Sequence, residues 1–148
     1  MNSEHIPEIY VDADACPVVE EILQIVDDHL IHLVCNRHHV LDVDRENVRL
    51  HRATDRQDGA DHYIYNHSSP GDIVVTDDLG LAALVLGGNR RVIRFRGDRP
   101  DNEDIHWRLH LRHQAGQARR SGRKTGGPSK FTEKDRKKFR KKFKKLLE

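Results

Sequence analysis

The sequence predicts an α/β fold, with a mostly parallel central sheet flanked by helices and a basic helical extension at its C-terminal end. Three observations predict it. Short β-rich apolar runs alternate with segments of helical rhythm, the order expected of successive βαβ units. A chain of 148 residues with 36% hydrophobic and 5% aromatic content holds one modest core and not two. Charge is divided along the chain: residues 1–118 carry 12 Lys and Arg against 21 Asp and Glu, and residues 119–148 carry 14 against 3, so a net −9 body precedes a net +11 tail. The tail is an extension of the same domain.

The first strand is Ile9-Tyr10-Val11, which ends at Asp12. Residues 17–29 have apolar side chains at 18, 19, 22, 23, 25 and 26, a helical spacing, and Pro17 suits a first turn that needs no N–H. Residues 30–34 read as a second buried strand and 47–51 as a weaker, alternating one. Asp58-Gly59-Ala60-Asp61 opens a helix that continues through Tyr63, Ile64 and Tyr65. After the Pro70-Gly71 turn, residues 72–76 form the strongest strand signal. Residues 79–86 are a short apolar helix stopped by Gly87-Gly88, and residues 91–95 are the last strand. A loop at 96–100 leads to a helix over 102–120 rich in Arg and His, and a break at 121–129 follows. Thr132 caps the tail helix, with Asp135 at the capping-box position, and Phe139, Phe143, Leu146 and Leu147 line one stripe between lysines. That stripe needs a surface to bury against.

Composition excludes several classes. No run approaches the roughly 20 apolar residues that span a bilayer, and the first residues lack the order of a secretory signal, which points to the cytoplasm. Cys16 and Cys35 are too few for a disulfide framework or a four-cysteine zinc site. Residues 119–148 suit contact with a polyanion through counterion release; the alternative is a solvated face folded back on the acidic body.

The residues able to do chemistry are mostly acidic. Asp12 and Asp14 lie on the same side of an extended segment at a strand end, where an open α/β sheet presents its ligands. Two such charges need a compensating cation, and hard oxygen ligands favour Mg²⁺ or Mn²⁺. The plain alternative is that one aspartate caps the following helix. Asp58 and Asp61 share a face in the first turn of their helix, and Asp77-Asp78 ends the strongest strand. Acidic groups from separate segments meeting at one sheet edge are what metal-assisted phosphodiester cleavage requires. Glu21 is a lesser ligand candidate. His106, His110 and His113 share a helix face, more simply solvated or base-contacting than metal-binding. Cys16 precedes a helix start but lacks a partner base, so a buried small residue is the simpler reading. In residues 122–128 Lys124-Thr125 comes ahead of Gly126-Gly127, so the P-loop order is absent.

At Val11-Asp12-Ala13-Asp14-Ala15-Cys16-Pro17 the chain resembles the bacterial YaiI/YqxD family of uncharacterised proteins. The likeness continues at Asn36, Asp58 with Asp61, residues 71–76, Asp78, Leu81-Ala82-Ala83, Arg96-Gly97, Arg112-His113, Arg119, Gly122, residues 125–128, Asp135-Arg136 and Phe139. That family looks like a branch of the PIN-like (NYN-type) fold, whose better-known members are metal-dependent ribonucleases. The resemblance implies a site of Asp12, Asp14, Asp61 and Asp78 with Asp58 beside them, and it selects Asp78 over Asp77. Arg37, Asp77 and Gly80 depart from the family pattern without removing a ligand.

Three functions are weighed. The first is a Mg²⁺- or Mn²⁺-dependent nuclease, RNA being favoured over DNA, with Asp12, Asp14, Asp61 and Asp78 catalytic. In that reading Arg96, Arg112, Arg119, Arg120, Lys124, Lys130 and Arg136 hold phosphates. Few aromatics stand among these cations, which argues against a base-stacking strip as the main binding mode. The second is a non-catalytic nucleic-acid-binding module, and the third is a haloacid-dehalogenase-like phosphatase, which begins with a similar Asp-x-Asp. That third class uses a lysine in its body, and this body has none before Lys124. A homo-oligomer is left open.

Overall fold

The structure, a computed structural model, describes residues 6–36, 43–53, 59–120 and 129–148. Five parallel strands form one sheet in the order β3-β2-β1-β4-β5. The strands are β1 (Ile9–Asp12), β2 (Ile31–Asn36), β3 (Val48–Ala53), β4 (Ile73–Val75) and β5 (Arg91–Ile93). The helices are α1 (Val19–Ile25), α2 (Gly59–His67), α3 (Leu79–Gly87), α4 (Asn102–Arg120) and α5 (Glu133–Leu147). Every strand is parallel because a helix or long connection returns the chain to the starting edge each time.

Alternation along β1 sends Ile9, Val11 and Ala13 to one face and Tyr10 to the other, and two separate cores follow. On the first face Ile9, Val11, Ile31, Leu33, Ile73, Val75 and Ile93 pack against Val18 and Ile22 of α1 and against Phe139, Phe143 and Leu146 of α5. On the second, Tyr10, Val34, Val74 and Val92 meet Ala60 and Ile64 of α2, Leu81, Ala82 and Val85 of α3, and Ile105 of α4. The connection from β1 to β2 and those from β3 to β4 and β4 to β5 run in opposite directions across the sheet. They lie on opposite faces, as right-handed crossovers demand.

The tail is bound to the body. Phe139 and Phe143 are fully buried with rings stacked 5.2 Å apart. Thr132 and Asp135 complete the expected capping box. Gly97 has φ +95°, and a Cβ there would stand 3.0 Å from the backbone of Lys138 and Phe139, so the loop after β5 touches α5 where only glycine fits. Arg91 donates to the carbonyl of Leu146, tying β5 to the end of α5 (3.2 Å).

Helix α1 is shorter than the 17–29 expected from periodicity. Val26 is already extended, and the side chains of Arg45 and Asn47 donate to the carbonyls of Leu23, Val26 and His29. Those bonds replace intrahelical partners and turn the chain into β2. Among the described residues no helix is long and apolar enough to cross a membrane.

Candidate active site

The order 3-2-1-4-5 reverses direction between β1 and β4. The chain leaves β1 for α1 on one face and β4 for α3 on the other, which opens a crevice at the carboxyl ends of these two strands. Asp12, the last residue of β1, lies on the face of Tyr10, toward the α2 and α3 layer. Thr76, fully buried just past β4, donates its hydroxyl to Asp12 Oδ2 (2.9 Å) and accepts from the N–H of Asp78 (3.0 Å). One threonine thus fixes Asp12 relative to the start of α3. Asp78 caps that helix, its Oδ1 accepting from the N–H of Leu81 (3.1 Å).

Four carboxylates surround this point. Burial pushes the Asp12 carboxyl up to about 6; the Thr76 hydrogen bond opposes the shift, and the negative charges of Asp61, Asp78 and Asp14 add to it. Asp61 arrives from the first turn of α2, and Asp14 from the turn after β1, where Ala15 takes the left-handed φ of +59°. Asp14, Asp61 and Asp78 are thus near enough for their charges to act on Asp12. Among the described residues no three His, Cys, Asp or Glu side chains stand close enough to share one metal ion. Asp58 lies outside the described residues.

Other candidates have different occupations. Asp77 turns away from Asp12: its Oδ1 accepts from the N–H of Phe95 (2.9 Å) and pairs with Arg94 Nε (3.5 Å), which holds the loop after β5. Glu21 is buried against the tail, with Oε2 bonded to Arg136 Nη1 (3.2 Å) and Oε1 without a hydrogen-bond partner. Each therefore has one carboxylate oxygen engaged in holding the fold. Arg136 also donates to the carbonyl of Pro17, and Arg96 binds Asp135 (2.9 Å) and the carbonyl of Ser129. Arg96 and Arg136 each lie over the ring of Phe131. They fasten the tail to the body. Lys130 is exposed; Lys124 and residues 122–128 lie outside the described residues, as do the side chains of Arg112, Arg119 and Arg120. Burial pushes the Cys16 thiol up to about 12, with Asp12, Asp77 and Glu21 adding to the shift, so it stays protonated and is no nucleophile.

A polar chain that the sequence reading missed supports α2 from beneath. His32 Nε2 meets Glu8 Oε1 (2.6 Å), His32 Nδ1 meets His51 Nε2 (2.8 Å), and His51 Nδ1 meets the Tyr63 hydroxyl (2.7 Å). With Glu8 ionised and both imidazoles neutral one arrangement satisfies every atom: Tyr63 donates to His51, His51 to His32, and His32 to Glu8. The rings of Tyr10, His32, His51, Tyr63 and His67 follow one another 3.9–5.0 Å apart, stacked except for the tilted His51–Tyr63 pair. Burial and the neighbouring His32, His67 and Arg49 hold His51 below its usual range, in keeping with the neutral form. His51 shares a transverse row with Val34 and Asp12 in the strand register, and Tyr63 lies two residues after Asp61. The chain therefore sets where α2 delivers Asp61. Its signal was faint, because strand histidines read as solvated until β3 is placed beside β2.

The family model described as an uncharacterised YaiI/YqxD family (DUF188) matches residues 10–148, body and tail together. This chain belongs to the YaiI/YqxD family. It is 38% identical over 125 residues to a UPF0178 protein of Exiguobacterium sibiricum, covering 84% of this chain and 85% of that one. A UPF0178 protein of Bacillus velezensis is 39% identical over 128 residues, 84% and 76% of the two chains. One of Acidithiobacillus ferrooxidans is 38% identical over 137 residues, 84% and 87%. No solved structure matches. The five-stranded parallel sheet is consistent with the PIN-like expectation for the YaiI/YqxD family.

Proposed function

We propose that this protein is a Mg²⁺- or Mn²⁺-dependent hydrolase of phosphodiester bonds, with RNA as its substrate. The carrying observation is Asp12: a carboxyl pushed up to about 6 by burial and by three neighbouring aspartates is a site whose negative potential a divalent cation relieves. By type the donors suit such an ion, since Asp12, Asp14, Asp61 and Asp78 offer hard oxygens without competing sulfur, and binding would draw them closer together than they stand. When bound, such an ion supplies an activated water and stabilises charge on the phosphoryl oxygens.

The chain's own residues do the rest. Thr76 orients Asp12, and the capping bond at Leu81 orients Asp78, so both are held before any ligand arrives. The exposed lysines of α5, among them Lys137, Lys141, Lys144 and Lys145, attract the phosphate backbone that the acidic edge would repel. A second reading, a binding module without catalysis, is favoured by the cap at Asp78 and by the spacing of the carboxylates, no three of which, among the described residues, stand close enough to share one ion.

Labelled single-stranded RNA, structured RNA and DNA incubated with Mn²⁺ or with EDTA separate the two. EDTA-sensitive cleavage by the wild type, lost in the Asp12→Asn/Asp14→Asn double variant, supports the hydrolase. Binding without cleavage in any condition supports the module. Calorimetric titration with Mn²⁺ tests the ion directly, and equal, negligible heats for both proteins overturn the metal site.

A further inference from the structure

We infer that Trp107 and His110, on the outer face of α4, form a shelf that takes one unpaired base of single-stranded RNA. The inference rests on the nucleic-acid reading above and names the form of that substrate. Trp107 is the chain's one tryptophan, and 62% of its surface is exposed. Poor packing of the helix is not the cause, since α4 buries Ile105 and packs Leu109 against the second core. The indole stacks with His110 at 5.7 Å and 29°, and both line an open concavity of about 640 Å³ with Asn102, Glu103 and His106.

The lining suits a base. It combines an aromatic plane with an amide, a carboxylate and imidazoles that can meet base edges, and it contains no aliphatic residue. A protein partner would require a broader apolar surface, and among the described residues of α4 the exposed large hydrophobics are Trp107 and Leu111 alone. Charge points the same way. The shelf stands at a charge boundary: Asp101, Glu103 and Asp104 precede it, and residues 105–132, on its C-terminal side, carry seven Lys and Arg and no Asp or Glu. Arg108, next to Trp107, reaches Asp98 in the turn after β5 (2.8 Å), which ties this part of α4 to the carboxyl edge that holds the aspartates. The count of aromatics in the sequence argues against a strip of stacked bases, and a single platform is consistent with it.

Because Trp107 is the lone indole, its fluorescence reports the shelf directly. The protein is titrated with a single-stranded RNA, with an abasic sugar-phosphate strand of equal length and with an RNA duplex, while the anisotropy of labelled strands reports binding at any surface. The single strand should quench Trp107 while the abasic strand and duplex leave it unchanged. Trp107→Ala should weaken single-strand binding roughly tenfold or more and leave duplex binding unaltered, and Trp107→Phe should retain most of the affinity. Binding of the single strand with no change in Trp107 emission overturns the shelf and leaves the nucleic-acid reading standing. Absence of binding by every strand overturns both. Trp107 emission that changes with protein concentration alone assigns the face to a second copy of the chain and overturns the shelf.

Discussion

Replacing Asp12 by Asn should stabilise the protein at neutral pH while abolishing its proposed activity. The amide keeps an acceptor for the Thr76 hydroxyl and removes the charge that Asp61, Asp78 and Asp14 oppose. The folded-state value of about 6 lies above the ordinary 3.8, so the protonated carboxyl favours the fold. That contribution is full below the unfolded value and is lost as pH rises through about 6. A shift of this size corresponds to about 3 kcal/mol, of which roughly half is lost between pH 5 and 8. Urea unfolding at both pH values, at fixed ionic strength and with EDTA, measures the difference. The variant should lose less stability than the wild type over this interval by about that amount, and Mn²⁺ should restore stability to the wild type alone. Parallel pH dependences in the two proteins would refute the claim that Asp12 is buried among like charges.

Phe143→Ala should cost about 3–5 kcal/mol in urea unfolding, because the ring is fully buried between α5 and the sheet; a loss below 1 kcal/mol would mean the tail does not share the first core. Tyr63→Phe leaves His51 Nδ1 without its donor and should cost about 1–3 kcal/mol, with the downfield-shifted Tyr63 hydroxyl proton resonance lost from the NMR spectrum while the imidazole N–H resonances remain. Gly97→Ala should destabilise by about 1–3 kcal/mol, through left-handed strain and contact with the α5 backbone, and should speed proteolysis of the tail. Replacing Lys137, Lys141, Lys144 and Lys145 together by Gln should leave stability within about 1 kcal/mol and flatten the salt dependence of RNA binding by up to about 2.8 in the log–log slope.

Much of this was legible in the sequence because it rests on local chemistry. The β1 run ending at Asp12, the capping box of Thr132 and Asp135, and the stripe of Phe139 and Phe143 each follow from spacing alone. What was not legible depended on partners far along the chain. Asp77 and Asp78 are neighbours with the same chemistry, and the backbone N–H of Phe95 decides that Asp77 faces away. Arg96 and Arg136 look like phosphate ligands until Asp135, Glu21 and the ring of Phe131 are seen to claim them. The chain from Glu8 to Tyr63 joins the segment before β1 to two strands and a helix, and no window of sequence contains it.

The absence of lysine before residue 124 acquires a physical reason from these contacts. Several arginines of the body are structural: Arg45 donates to carbonyls at the end of α1, Arg90 to those of Ser68 and Tyr65, Arg91 to those of Gly71 and Leu146, and Arg94 to that of Asp77. A guanidinium can bind two or three such acceptors at once in a fixed plane, and an ammonium on a flexible stem cannot do so as selectively. The tail repeats the division, with Arg136 and Arg140 turned to α1 while every described lysine is exposed. Arginine joins the two oppositely charged parts, and lysine is left for the solvent side, where a mobile point charge is the better partner for a phosphate backbone without fixed register. The two cation types therefore separate the work of assembling the site from that of bringing a polyanion to it.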